Sequence, residues 1–436
     1  MRGAATIARM DDHRLTTLPG GERVVSERID GVRSAALGLF IGAGSRDEPP
    51  AKAGVSHFIE HLLFKGTARY DAVQIAELFD AMGGELNAAT SRETTVVYTR
   101  VPDDHVDVAL DVMTDMVFAP TFADLDCERE VVLEEIAMVE DNPQELVHDL
   151  AAEAVFGGHP LGRPVIGRAD VISTVSKRSL RAYHRAAYVG ANVVLAAAGN
   201  VDHDRIGAAL AERGGVPGAT LGRVRKPARA APPPTLRFRR KNTEQYHVCL
   251  AAPGLRRDDP RRYAAGLLDA ILGGSASSRL FQEIREKRGM AYSIYSYASR
   301  YVDTGQVGIY VGTREENLRA CLEVIADELR DIGAGNIRPG ELERAKENMK
   351  GRMLLSLEST SARMSRLGKA VVTGTEIVSV EESERRIDAV TPEDVAALAR
   401  DVYAPERLSA AGIGPSARRF EAAVKLLNPA AAARAA

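Results

Sequence analysis

The chain has 436 residues, 45% of them hydrophobic and 27% charged, with a formal net charge of −3 at pH 7. That length predicts two or three globular domains, and so small a net charge gives no electrostatic reason to expect nucleic acid or an anionic membrane as partner. No run of about eighteen apolar residues occurs, so no membrane-spanning helix is predicted. Residues 1–21 carry Arg2 and Arg9 beside Asp11 and Asp12 and lack the apolar stretch of a secretion signal. Cys127, Cys249 and Cys321 lie far apart, with no Cys-x-x-Cys. The expected setting is a reducing, cytoplasmic one, without a cysteine metal site.

Residues 24–29 and 35–41 read as strands, the second a continuous apolar run closed by Gly42-Ala43-Gly44. A short helix follows, preceded by Pro49-Pro50 and stopped at Lys65-Gly66. It contains His57-Phe58-Ile59-Glu60-His61. At about 100° per residue, His57 and His61 fall roughly 40° apart, and Glu60 about 60° to the other side of His57. Two imidazoles and a carboxylate thus share one face. A catalytic zinc needs this arrangement: two neutral nitrogen ligands one turn apart and a carboxylate within reach of a bound water. The order His-x-x-Glu-His is the inverse of the commoner zinc-protease helix. A lone histidine on such a helix is more simply a satisfied core residue, but three matching groups on one face favour a metal.

Next come a helix at 72–82 ending at Gly83-Gly84, paired strands at 85–90 and 94–101, and an amphipathic helix at 104–117. A long helix at 124–139 is broken by Asn142-Pro143, and a further helix runs to Phe156. A helix at 177–188 leads into a strand at 192–198. From 214 to 234 the composition turns to Gly, Pro, Arg and Ala, ending in Pro232-Pro233-Pro234, as in a linker. Strands are expected at 236–240, 246–252, 292–301 and 306–313. Helices are expected at 261–272, 277–287 and 315–331, and from 339 into the 360s.

The halves resemble each other. Residues 172–199 lie without a gap on 387–414, setting Val175 on Val390, Tyr188 on Tyr403 and Leu195-Ala196 on Ala410-Ala411. The same offset sets Glu128-Arg129 on Glu343-Arg344. The expected fold is α+β, a tandem duplication of one mixed-sheet-plus-helices domain, with domains 1–213 and 235–436 joined by the linker 214–234. Only the first copy has the histidine pair, and Lys350 stands in the second where Glu135 stands in the first. A duplicate that keeps the fold without the polar cluster marks that cluster as a site.

Two histidines leave zinc needing a third protein ligand. The helix 124–139 and its end offer Glu128, Glu130, Glu134, Glu135 and Glu140. Glu128 and Glu135 point the same way, about 10 Å apart along the axis, with Val131 and Val132 between them. Carboxylates in an apolar stripe are costly unless paired, protonated or metal-bound. Glu130 and Glu134 read as solvated charges, Glu135 reads against that default, and Glu128 stays open.

His57-Phe58-Ile59-Glu60-His61 followed by Glu128-Arg129-Glu130-Val131-Val132-Leu133-Glu134-Glu135-Ile136 resembles the pitrilysin family of zinc peptidases over nearly the whole chain. It is most similar to the two-domain branch that includes mitochondrial processing peptidase and its bacterial relatives. The resemblance implies one zinc per chain held by His57, His61 and Glu135, with Glu60 as general base toward zinc-bound water and Glu128 as a supporting carboxylate. It also implies that Gly83-Gly84-Glu85-Leu86-Asn87-Ala88 forms an edge strand on which Asn87 and Ala88 receive an extended peptide, and that Arg285 and Tyr292 hold substrate. Read by themselves, these would be a hairpin edge, a surface helix charge and a strand-face aromatic. The family's architecture further implies a clam-shell chamber closed by two bilobed units, hence a homodimer or a heterodimer acting on unfolded peptides or flexible termini. The alternative within the family is a non-catalytic or partner-dependent subunit.

Overall fold

The computed structural model describes residues 13–213, 225–228 and 232–433, so most of the expected linker 214–234 lies outside the described residues. The first sheet comprises β1 (His13–Thr17), β2 (Arg23–Arg28), β3 (Ser34–Ile41), β4 (Glu85–Thr90), β5 (Thr95–Pro102) and β6 (Val193–Gly199), in the order β1-β2-β6-β3-β5-β4. The second comprises β7 (Leu236–Arg240), β8 (Gln245–Gly254), β9 (Ala291–Arg300), β10 (Gly305–Arg314) and β11 (Ser409–Gly414), in the order β7-β11-β8-β10-β9. With β1 set aside the two orders coincide. The one parallel pair falls in the same place in each, β2 with β6 and β7 with β11. The chain is an α+β fold made of two similar domains, as its internal likeness predicts. β1 was not expected, because its mostly exposed, polar HRLTT carries no buried face.

The apolar run in β3 follows from burial on both faces. Leu37, Leu39 and Ile41 enter the core of the first unit, together with the helix α1 (Val55–Leu63) and its neighbours. Ala36 and Phe40 face the other way, where Met364, Leu367 and Val371 of the helix Thr360–Thr373 cover them. The approach is close, since a Cβ on Gly368 would lie 2.1 Å from the Phe40 ring. In the second unit Val248, Leu250 and Ala252 of β8 face the main core. Cys249 and Ala251 lie instead under Val147, Ala151 and Val155 of the helix α5 (Pro143–Phe156), α2 to α4 being Ala72–Met82, Val106–Phe118 and Leu125–Asp141.

The compact units are therefore not contiguous halves. One takes in Met353–Glu382 and the other Ala137–Arg163, unlike the division into 1–213 and 235–436 drawn from the sequence. The apolar faces of these two helices decide it, because each covers a sheet face that its own sequence neighbours leave bare. The helix expected from 339 into the 360s is accordingly two, Glu341–Ser356 and Thr360–Thr373, and Ser359 caps the second by accepting from Ala362 N at 3.4 Å. The helix expected at 277–287 is instead mostly a π-helical turn, Phe281–Glu286, followed by a Lys287 N–H bond to the Gln282 carbonyl.

Candidate metal centre

α1 buries Val55, Ser56, Phe58, Ile59, Leu62 and Leu63, leaving His57, Glu60 and His61 half-buried on the remaining face. Its start is held from upstream. The buried Glu48 carboxylate accepts from Gly54 N at 2.8 Å and Ser56 N at 2.6 Å, satisfying amides that a helix end leaves open. Gly54 sits at φ 98°, and a Cβ there would lie 2.7 Å from Gly167 Cα, so only glycine fits this turn.

α4 is packed against α1 by Val132 and Ile136, which share a core with Phe58 and Leu62. Arg129 orients it, donating to the carbonyls of Ile172 and Val175 with its guanidinium 5.7 Å from the Phe58 ring centroid. Of the stripe between the glutamates Val132 is buried as expected but Val131 is exposed, as is Met138 just beyond Glu135. Glu130 and Glu134 are exposed as well. Glu128, by contrast, is buried and doubly paired. Its carboxylate meets His61 Nδ1 at 2.8 Å and Lys65 Nζ at 2.6 Å. That contact sets the proton on His61 Nδ1 and turns Nε2 toward Glu135. Glu128→Gln, which keeps the shape and loses the charge, is expected to weaken zinc affinity about 10–100-fold in competition with a chromophoric chelator.

Three donor atoms converge. His57 Nε2 lies 3.3 Å from His61 Nε2 and 3.7 Å from Glu135 Oε2, and His61 Nε2 lies 3.4 Å from the same oxygen. A tetrahedral zinc with bonds of about 2.0–2.2 Å requires ligand atoms about 3.3–3.6 Å apart. The residues present fit that ion in donor type and spacing. Among the described residues this is the one cluster of three His, Cys, Asp or Glu side chains fit to hold a metal. Burial, reinforced by His61, pushes His57 down to about 4, so at pH 7 its imidazole is neutral, the form that can bind a metal. His57 Nδ1 is buried with no hydrogen-bond partner among the described residues. Glu60 stands beside the cluster. Burial raises its carboxyl above the usual range, opposed by a hydrogen bond from the Thr90 hydroxyl and by His61, with Glu135 adding to the rise.

Residues 23–169 match the model of insulinase, peptidase family M16, and residues 174–349 match that of the peptidase M16 inactive domain. An uncharacterized zinc protease of Streptomyces coelicolor is 44% identical over 413 residues, 92% of this chain and 89% of that protein. The chain belongs to peptidase family M16. YmxG of Bacillus subtilis, also described as an uncharacterized zinc protease, is 41% identical over 92% of this M16 chain and 98% of its own length. Two solved structures share the fold. The peptidase M16 inactive domain from Pseudomonas fluorescens has a TM-score of 0.86 at 24% identity, over 93% of this chain and 98% of that one. A protease from Helicobacter pylori has 0.85 at 20%, over 92% and 99%.

The other M16 positions expected from the sequence fall into two places. Asn87 and Ala88 lie on β4, the last strand of its sheet, with Asn87 toward solvent and Ala88 toward the core. Arg285 and Tyr292 lie together in the second unit, the guanidinium 4.6 Å from the Tyr292 ring centroid and Tyr292 78% exposed. In that unit the helix Arg262–Leu272 follows β8 as α1 follows β3. It has no histidine, and its one carboxylate, Asp269, accepts from Ser296 at 2.6 Å. Lys350 pairs with Asp388 at 2.9 Å. Sequence reading missed Thr90, Lys65 and Glu48. Lys65, four residues after His61, was legible from helical spacing, and Glu48 lies only six residues before the Gly54 amide it accepts from, whereas Thr90 reaches α1 from 30 residues away and carries no local signal.

Proposed function

We propose that this chain is a zinc metalloendopeptidase that hydrolyses peptide bonds in unfolded peptides or flexible termini. The observation that supports it most is the convergence of His57 Nε2, His61 Nε2 and Glu135 Oε2 at tetrahedral spacing, with Glu60 alongside. Zinc held there supplies Lewis acidity to a scissile carbonyl and to the attacking water. Glu60 takes the water's proton and returns it to the leaving amine. Glu128 keeps His61 oriented. β4 offers the free edge of its sheet, on which an extended peptide adds as a strand by main-chain hydrogen bonds beside Asn87 and Ala88. Arg285 binds a substrate carbonyl or terminus, and Tyr292 donates to the developing oxyanion.

The relatives' names support a zinc protease and leave the substrate open. The reading includes one zinc per chain and a homodimer in which Arg285 and Tyr292 serve the partner's zinc. A second reading, a non-catalytic or partner-dependent subunit, draws on the match of residues 174–349 to an inactive-domain model. That match falls after the histidine pair, which weighs for the catalytic reading. Digestion of a quenched unstructured peptide, with and without chelator, tests it. Chelator-sensitive cleavage by the purified chain is the expected result, and zinc binding without cleavage would favour the second reading. Mixing His57→Ala with Tyr292→Phe chains is expected to restore activity, and no restoration counts against completion in trans.

A further inference from the structure

Among the described residues, Thr90 is the one that donates a hydrogen bond to the Glu60 carboxylate, from its hydroxyl to Oε2. The two are 30 residues apart in sequence and meet because β4 runs past α1. Thr90 is the last residue of β4, opposite Thr95 of β5. Along β4, Leu86, Ala88 and Thr90 turn inward while Glu85, Asn87 and Ala89 face solvent. The donor's direction is determined by proton counting. A threonine hydroxyl has one proton. That of Thr95 is committed to the Ala43 carbonyl at 3.0 Å, so across the 3.5 Å contact between the two hydroxyls Thr95 has only a lone pair to offer. The proton of Thr90 goes to the carboxylate, the stronger, charged acceptor.

A glutamate's terminal torsion is broad and two-fold, so a carboxylate with no fixed partner turns freely. The Thr90 hydroxyl on Oε2, with the Thr90 backbone N–H as a further donor toward the same carboxylate, restrains that freedom. We propose that Thr90 is a positioning residue for Glu60, holding the general base at the angle proton transfer needs. The strand that receives the peptide and the group that activates water are thereby joined through Thr90. This inference rests on the peptidase reading above.

The experiment compares Thr90→Val, which keeps shape and removes the donor, with Thr90→Ser, which keeps the donor, and measures kcat, KM and zinc content. A positioning role predicts that Thr90→Val lowers kcat about 10-fold or more, because a misplaced group costs up to about 100-fold. KM should stay within about twofold, zinc should remain at wild-type content, and Thr90→Ser should restore most of kcat. A separate readout uses Glu60→Gln as background, in which a fluorescent peptide stays uncleaved: adding Thr90→Val should leave its Kd unchanged. Three results overturn the role: unchanged kcat, a raised KM or Kd with kcat kept, or loss of zinc. If Thr90→Val does not fold, a Thr90→Ser chain with kcat as low as that of Thr90→Ala also overturns it. An active wild type with an unaffected Thr90→Val sinks this inference alone, whereas a wild type that cleaves nothing sinks the peptidase reading and this with it.

Discussion

Glu60→Gln lowers kcat by about 10²–10⁴-fold, the range a positioned general base contributes, while the chain keeps zinc and still binds an uncleaved peptide. The carboxylate lies beside the three donors without being one of them, so its amide analogue removes a proton acceptor and leaves His57, His61 and Glu135 intact. The amide oxygen can still accept from the Thr90 hydroxyl, so β4 and α1 remain joined. Metal analysis and peptide anisotropy on the purified variant, beside a steady-state assay, check all three parts. Cleavage at close to the wild-type rate would remove Glu60 from the role of base.

His57→Ala and His61→Ala lose zinc and turnover together, and added zinc restores neither at stoichiometric concentration. Two donors cannot hold a metal whose catalytic sites take three protein ligands and keep one open position. The two variants should also differ in kind. Removing His61 leaves the buried Glu128 carboxylate with Lys65 as its one side-chain partner among the described residues, whereas His57 has no further hydrogen bond among them to strand. The His61 variant is therefore expected to be the less stable in denaturant titration, by about 1–3 kcal/mol for a buried polar group left without one partner. Retention of zinc by either variant would show that the ion sits elsewhere.

Much of the strand and helix pattern was legible because it depends on local signals. Asp71 and Gly83 bound α2 at both ends, with Asp71 accepting from Gln74 N at 2.8 Å, and the expected limits 72–82 hold. The likeness of 172–199 to 387–414 foretold the matching sheet orders, since equal periodicity in equal sequence order folds alike. Where local signals mislead, a distant partner decides. The apolar face of Thr360–Thr373 looks the same whichever sheet it covers, so reading along the chain leaves it with its neighbours. Glu128 shows the same limit. Its spacing from Glu135 was visible, but that it grips His61 and Lys65 depends on how closely α4 approaches α1.

By itself the sequence determined the chemistry available on one helix. A spacing of four from His57 to His61, with Glu60 between them, puts two nitrogens and a carboxylate on one face because a helix turns about 100° per residue. Only the tertiary structure decided which distant groups complete that face. Arg129, Val132 and Ile136 bring Glu135 to the imidazoles, and the end of β4 brings Thr90 to Glu60. Those meetings span tens of residues and follow from packing, which no spacing along the chain encodes.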